Sequence, residues 1–198
     1  MTDLDRLRFA LTRSAGGSSD FDLNPGFILP PPGRLRPAGV LIAVWVHDGD
    51  PRVILTKRSS HLKHHPGQVA FPGGKVDATD RDARDAALRE AEEEIGLPRE
   101  RVQILGELPP HRTVTDFIVT PYIGVVEGAF DPIAEAGEVE EVFSVPLAHL
   151  LDVSRYQVQS RIWHGQLRRY FAVPYGPYYI WGATARILRG LADRAQTA

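Results

Sequence analysis

The chain contains no cysteine among its 198 residues. This absence excludes disulfide bonds, catalysis by a thiolate and zinc sites with cysteine ligands, and it is consistent with a reducing compartment. The sequence also lacks the roughly 18–20 uninterrupted apolar residues that a membrane span needs. Its first residues lack the basic start and the apolar run of a signal peptide. We therefore expect a soluble, cytoplasmic protein that does not act on membranes.

A surplus of basic residues is missing as well. The formal net charge is -2, which argues against general affinity for nucleic acid, because that affinity needs a basic face. We expect a small-molecule substrate instead, and a monomer or a homodimer. The length and the hydrophobic share of 43% fit one globular domain. We assign residues 1–34 to an N-terminal helix and an extended arm packed on the domain, and residues 35–198 to the domain itself.

Apolar periodicity predicts an alternation of strands and helices along the chain. Many strands with one helix in the middle and one at the end indicate an α/β fold, with a mixed β-sheet packed between helices. The predicted elements are a helix over 3–13, a β-hairpin over 38–59, a helix over 82–96, strands over 102–108, 116–127 and 140–147, a short helix over 147–152, a second hairpin over 156–175 turning at His164 and Gly165, and a closing helix over 179–195.

The predicted helix over 82–96 gathers acidic residues near its end. Glu90, Glu93 and Glu94 have the i, i+3, i+4 spacing that places side chains on one helix face, whereas Glu92 points away and is expected to be solvated charge. Like charges on one face destabilise a helix unless a cation neutralises them. Mg²⁺ or Mn²⁺ suits a site made of oxygen ligands. A separate apolar stripe is expected to pack on the sheet: Leu88, Ala91 and Ile95.

A solvated acidic face is the alternative interpretation of such a charge run. Two neighbouring features favour the metal site. The glycines of "FPGG" at 71–74 let the backbone approach the helix closely, and Arg89 stands beside the acids as an orienting partner. The spacing alone leaves both interpretations open.

The segment from Gly74 to Leu97 resembles the signature of the Nudix hydrolase family, G-x5-E-x7-R-E-U-x-E-E-x-G-U, in which U is a bulky aliphatic residue. "REAEEEIGL" at 89–97 matches its second half. Three positions depart from the pattern. Asp80 stands where the first glutamate belongs, eight residues rather than seven separate it from Arg89, and Ala91 is small.

The flanking sequence is similar to the coenzyme A pyrophosphatase subfamily. "ILTKRSSHLKHHPGQVAFPGG" at 54–74 resembles that subfamily's additional motif, with Gly67 and "FPGG" in register. The pair Asp77 and Asp80, the longer spacer, and the later segments "IVTPYIGVV" and "IWGATARIL" resemble the subfamily too. The resemblance covers about residues 35–190.

This resemblance implies a Nudix-type α/β/α sandwich and hydrolysis of the pyrophosphate of coenzyme A or its derivatives. The products would be adenosine 3′,5′-bisphosphate and 4′-phosphopantetheine. It implies that Glu90, Glu93, Glu94 and the Gly74 carbonyl hold Mg²⁺ or Mn²⁺, and that Arg89 orients the acids. The general base stays open between Glu90 and the later glutamates, which are Glu138, Glu140 and Glu141.

Other residues have competing interpretations. A basic segment precedes the acidic helix, and from it we expect Lys57, Arg58 and Lys63, together with Phe71, to contact an anionic substrate. A solvated strand face is an equal alternative for the basic residues. The aromatic residues Trp163, Tyr170 and Trp181 are interpreted as packing residues rather than a platform for adenine. Two other functions compete: a Nudix hydrolase for another substrate such as ADP-ribose, and a non-catalytic binding module.

Overall fold

The computed structural model describes residues 1–26, 35–47, 49–62, 65–163 and 165–196. Four α-helices lie within these ranges: α1 (Asp3–Thr12), α2 (Ala83–Ile95), α3 (Leu147–Leu150) and α4 (Gly182–Arg194). The strands described there are β1 (Ser18–Ser19), β2 (Arg36–His47), β3 (Asp50–Arg58), β4 (Val69–Ala70), β5 (Gly73–Lys75), β6 (Val102–Glu107), β7 (His111–Arg112), β8 (Phe117–Val126), β9 (Val139–Pro146), β10 (Gln157–Trp163) and β11 (Gln166–Ala172). None of the described helices is both long and apolar enough to cross a membrane.

Strands β1 to β9 form one mixed sheet, and β10 and β11 form a separate antiparallel hairpin. At the centre of the sheet β2 runs parallel to β8 and antiparallel to β3. The outer strand β9 pairs with β3, and β6 pairs with β8. The short strand β5 pairs with the beginning of β2, so the glycines of "FPGG" lie at the middle of the sheet.

Helices cover both faces of this sheet, as the predicted α/β/α sandwich requires. Side chains along β2 alternate between two cores, because successive residues of a strand point to opposite faces. Leu41 and Ala43 belong to the core beneath α2, whereas Ile42 and Val44 belong to the core beneath α1, α3 and α4. The predicted apolar stripe of α2 is confirmed: Ala91 and Ile95 are fully buried in the first core, and Leu88 packs against it.

Helix α2 has clear start and stop signals. The Asp82 carboxylate accepts a hydrogen bond from the Asp85 N–H, and Gly96 ends the helix in the left-handed conformation with φ 68°. The helix also lies very close to β2. A Cβ atom on Gly39 would collide with the carbonyl oxygen of Ala83, so only glycine permits this packing. The close approach brings the glutamates of α2 next to β5.

The N-terminal residues pack on the domain rather than extending away from it. Leu7 and Ala10 of α1 are fully buried in the core that contains α4. Further along, β1 pairs in parallel with β7 and leads to Asp20. The Asp20 carboxylate accepts a hydrogen bond from the Val114 N–H at 3.0 Å and lies 3.3 Å from both His111 Nε2 and Arg168 Nη2. This contact ties the arm to the sheet and to the second hairpin.

The element predictions agree with the structure in type and differ at their edges. The two predicted hairpins and the closing helix are present, although that helix begins at Gly182 rather than at 179. Four strands of two or three residues escaped prediction, namely β1, β4, β5 and β7, because so short a segment has no detectable periodicity. The predicted turn residue His164 and residues 27–34 of the predicted arm lie outside the described residues.

We expect Asp20→Asn to lower the free energy of unfolding by about 3 kcal/mol, because it removes one charge from a buried ion pair and leaves Arg168 without its counter-charge. Asp131→Asn is the control, because Asp131 is exposed. Urea unfolding followed by circular dichroism measures both variants. An unfolding free energy of Asp20→Asn equal to that of Asp131→Asn and wild type would show that the arm contact contributes nothing to stability.

Candidate active site

The guanidinium of Arg89 organises the acidic side chains around α2. Its Nε donates to Asp80 Oδ1 at 2.9 Å, and its Nη2 donates to Asp80 Oδ2 at 3.0 Å. Its Nη1 donates to Glu93 Oε2 at 2.8 Å, and its Nη2 lies 3.0 Å from Glu90 Oε1. Its Nη2 also lies 3.8 Å from Asp77 Oδ2. One cation therefore contacts four carboxylates, and it fixes their positions relative to the helix.

Asp80 is the most strongly held of these four partners. Its side chain is only 2% exposed, and it also accepts a hydrogen bond from the Asp77 N–H at 2.8 Å. The hydrogen bonds from Arg89 lower the pKa of Asp80 below its ordinary value, and the same contact raises the pKa of Arg89. The shorter aspartate with the longer spacer thus still forms a two-pronged ion pair with the arginine that follows it.

Glu94 is a buried carboxylate, 6% exposed, on the side of α2 that faces β5. Its Oε2 accepts a hydrogen bond from the Gly73 N–H at 3.1 Å. Burial raises the pKa of Glu94 to about 7, with a further upward contribution from the charge of Glu90; the Gly73 hydrogen bond and the positive charge of Arg58 only partly offset it. Within the described residues no ion pair involves Glu94, so its negative charge is held at a cost in free energy.

Glu90 lies beside Glu94 and is also largely buried, with 16% of its side chain exposed. Burial raises the pKa of Glu90. The contact with Arg89 lowers this pKa, whereas the negative charges of Glu93 and Glu138 raise it further. The Glu90 carboxylate rests against Gly74, where a Cβ atom would collide with it. The second glycine of "FPGG" therefore makes room for a carboxylate, which is a more specific role than the close backbone approach predicted from the sequence.

The three glutamates predicted to share one helix face have different surroundings in the structure. Glu93 turns outward to Arg89 and keeps 57% of its side chain exposed. Across the ranges that the structure describes, no three His, Asp, Glu or Cys side chains are grouped as a ready metal site. The hydrogen bond from Arg89 Nη1 to Glu93 Oε2 accounts for the outward position of Glu93. Glu92 does point away, but it forms an ion pair with Arg99 at 3.1 Å rather than being merely solvated.

The residues nonetheless fit a divalent cation. Glu90 and Glu94 are two largely buried carboxylates, and among the described residues Arg89 is the one arginine that forms an ion pair with either of them. Arg89 is also shared with Asp80 and Glu93. Hard cations such as Mg²⁺ prefer this kind of oxygen donor, and they would neutralise the charge that burial disfavours. The missing Cβ at Gly74 keeps the Glu90 carboxylate unobstructed on its β5 side.

A cavity of about 410 Å³ opens on the other side of β5. Gly73 belongs to both regions, because its N–H donates to Glu94 and its backbone lines the cavity. Apolar residues such as Phe71 and Val119 line part of the wall, and Arg58, Arg161 and Arg168 also line it. A ligand that fills the cavity is therefore adjacent to the buried carboxylates.

The four residues predicted to bind substrate have separate positions. Arg58 and Phe71 line the cavity, although Phe71 is also a buried core residue. The Lys57 ammonium donates to Glu140 at 2.6 Å, which raises the pKa of Lys57 and engages its charge. Lys63 lies outside the described residues.

The three later glutamates also differ. Glu140 is bound to Lys57, and Glu141 on β9 accepts a hydrogen bond from the Tyr178 hydroxyl. Glu138 lies at the end of the preceding loop, where its negative charge raises the pKa of both Glu90 and Glu94. Of these three, Glu138 is the one whose charge acts on both glutamates of the buried pair.

The sequence did not single out Asp20, Arg161 and Arg168 as cavity residues. Asp20 lies on the N-terminal arm, far in sequence from Arg161 and Arg168 on the second hairpin, so no local spacing connects it to them. Trp163 and Trp181 were interpreted as packing residues, but both line the cavity. A basic and aromatic composition of the second hairpin was the only sequence signal available.

Comparison with known proteins adds an independent observation. The family model described as the NUDIX domain matches residues 36–164. The "Uncharacterized Nudix hydrolase NudL" of Enterobacter sp. is 46% identical over 157 residues, which cover 79% of this chain and 81% of that protein. The protein of the same name from Salmonella newport is 45% identical with the same coverage. A solved structure of a MutT/nudix family protein from Enterococcus faecalis is 17% identical, covers 98% of this chain and 74% of that chain, and shares the fold with a TM-score of 0.55.

The raised pKa of Glu94 predicts a pH-dependent stability in the absence of metal. The folded-state pKa of about 7 exceeds the ordinary value of 4.5, so the folded protein binds a proton on Glu94 more tightly than the unfolded chain does. This stabilising contribution is fully present below pH 4.5 and is lost as the pH rises through 7. A pKa shift of this size corresponds to a change of about 3 kcal/mol in the free energy of unfolding.

We therefore expect the unfolding free energy in EDTA to fall between pH 5 and pH 8, and to fall less in Glu94→Gln. Urea unfolding at both pH values measures the difference. Glu92→Gln, which changes an exposed glutamate of the same helix, is expected to keep the wild-type pH dependence. An identical pH dependence in wild type and Glu94→Gln would contradict the buried-carboxylate account.

Proposed function

Because the chain belongs to the Nudix family, we propose that it is a divalent-metal-dependent pyrophosphohydrolase that cleaves coenzyme A or its derivatives. The observation that carries this proposal is the position of Gly73. Its peptide lies between the buried glutamates and a cavity that contains Arg58, so a diphosphate and an attached organic group have adjoining places. The coenzyme A class is supported by the resemblance of residues 54–74 to that subfamily's motif.

The reaction adds water across the P–O–P linkage of the substrate. Nudix hydrolases generally use divalent metal ions, and we assign Glu90, Glu94 and the Gly74 carbonyl as the groups that would hold one, with Glu93 as an additional ligand. When bound, the metal neutralises phosphate charge and activates the attacking water. Activity assays in Mg²⁺ and in Mn²⁺ distinguish which cation supports hydrolysis.

Arg89 and Asp80 are positioning residues in this account. Their ion pair holds the helix side chains in place before substrate arrives, so Glu90 and Glu94 need little reorganisation. Arg58 lines the cavity, and its charge also acts on Glu94, which suits a contact with the substrate's phosphates. Lys57 has no such role in this proposal, because Glu140 engages it.

We assign the acceptance of the water proton to Glu138. Its charge acts on both Glu90 and Glu94, whereas Glu141 is hydrogen-bonded to Tyr178. A base on the loop also leaves Glu90 and Glu94 as acceptor-only groups for the cation.

The test is incubation with coenzyme A, its thioesters, ADP-ribose and dinucleotides in Mg²⁺ or Mn²⁺, with products separated by chromatography. We expect adenosine 3′,5′-bisphosphate and 4′-phosphopantetheine from coenzyme A. Glu94→Gln should lower kcat at least about 100-fold, because it removes a ligand charge, and Glu138→Gln should lower it by a similar factor. Glu92→Gln and Glu141→Gln should stay within a few-fold of wild type.

Cleavage of ADP-ribose without cleavage of coenzyme A would contradict the proposed substrate class but support the proposed pyrophosphohydrolase reaction. Hydrolysis of none of these compounds would indicate a binding module. Full activity in Glu94→Gln would contradict the assigned metal site, and a stronger loss in Glu141→Gln than in Glu138→Gln would reverse the assignment of the base.

A further inference from the structure

The second hairpin presents two arginines side by side to the cavity. Arg161 of β10 and Arg168 of β11 are directly opposite each other in the antiparallel register, and both line the cavity wall. Like charges at such positions destabilise a hairpin. Asp20 compensates Arg168 at 3.3 Å, whereas no carboxylate in the described part of the chain forms an ion pair with Arg161. This arrangement favours an anionic ligand near Arg161.

Each of these arginines lies over the ring of a tryptophan that also lines the cavity. The Arg161 guanidinium is 4.4 Å from the Trp181 ring centroid, and the Arg168 guanidinium is 5.2 Å from that of Trp163. Indole rings and guanidinium planes are the flat surfaces on which proteins stack nucleobases. The cavity thus combines two cationic, flat walls contributed by the hairpin and by the start of α4.

The charged residues that line the cavity favour an anionic ligand. Its lining has three arginines, Arg58, Arg161 and Arg168, and a single carboxylate, Asp20, which is already bound to Arg168. The volume of about 410 Å³ lies within the range of small-molecule sites. A phosphorylated aromatic base satisfies both the excess positive charge and the flat walls, whereas a pantetheine arm is not planar and makes no use of the stacked surfaces.

We propose that this cavity binds the nucleoside 3′,5′-bisphosphate half of the substrate, with the base against Trp181 and Arg161 and a phosphate facing Arg161 and Arg58. The inference rests on the proposed function for the identity of the nucleotide. It makes Arg161 and Trp181 the residues that determine specificity, and it directs the pantetheine arm away from the cavity. The diphosphate then lies at the rim formed by Gly73, next to Glu94.

The experiment is isothermal titration calorimetry in EDTA, where no hydrolysis competes, with three probes: adenosine 3′,5′-bisphosphate, 4′-phosphopantetheine and inorganic phosphate. Wild type is expected to bind the bisphosphate at least about ten-fold more tightly than either other probe. Arg161→Ala and Trp181→Leu should each weaken that affinity about ten-fold, the amount expected for one stacking contact. Arg161→Lys, which keeps the positive charge but lacks the planar guanidinium, should retain only part of the bisphosphate affinity.

Arg169→Ala is the matched control, because Arg169 is the neighbouring exposed residue on the opposite face of β11. It should bind like wild type. Arg161 is exposed, so its replacement is compatible with folding, and circular dichroism melts verify this for Trp181→Leu. Equal bisphosphate affinity in wild type, Arg161→Ala and Trp181→Leu would overturn the inference. So would tighter binding of 4′-phosphopantetheine that these variants weaken.

The activity assay keeps this inference separate from the proposed reaction. If coenzyme A is not hydrolysed but the bisphosphate binds and the hairpin variants weaken it, the nucleotide site stands and the proposed reaction fails. If coenzyme A is hydrolysed and its KM is unchanged in Arg161→Ala and Trp181→Leu, the reaction stands and the nucleotide site fails.

Discussion

The ion pair between Arg89 and Asp80 is the contact on which the arrangement of the acidic helix depends. A helix with four nearby glutamates is electrostatically unfavourable, and this buried two-pronged pair supplies the fixed cation that makes it tolerable. The same guanidinium draws Glu93 outward and stays in contact with Glu90. Glu94 remains buried without an ion-pair partner among the described residues, and that residual cost is what a bound cation would relieve.

The sheet turns this local arrangement into a site with two adjoining parts. Strand β5 pairs with β2 at the middle of the sheet, and Gly74 of this strand makes room for the Glu90 carboxylate on one side. The backbone of Gly73 borders the cavity as well as Glu94. The walls of that cavity come from distant elements, namely the N-terminal arm, the second hairpin and the start of α4. Reaction chemistry and ligand selection are thus assigned to different parts of the chain.

What the sequence could predict follows from the range of the interactions involved. The limits of α2, its buried stripe and the grouping of acids near Arg89 depend on residues within a few turns, so spacing and capping signals suffice. The outward turn of Glu93 was missed because it depends on competition for one guanidinium. The Asp20–Arg168 contact joins residues almost 150 positions apart, and only the folded sheet brings them together. The position of Trp181 in the cavity wall was missed for the same reason.

Binding of Mn²⁺ at pH 7.5, followed by electron paramagnetic resonance of the free ion, tests the central claim most directly, because it requires neither substrate nor turnover. The account predicts saturable binding by wild type, an affinity at least about ten-fold weaker in Glu94→Gln, and wild-type binding in Glu92→Gln. Equal Mn²⁺ affinity in wild type and Glu94→Gln would contradict the claim that the buried carboxylates of α2 form the metal site.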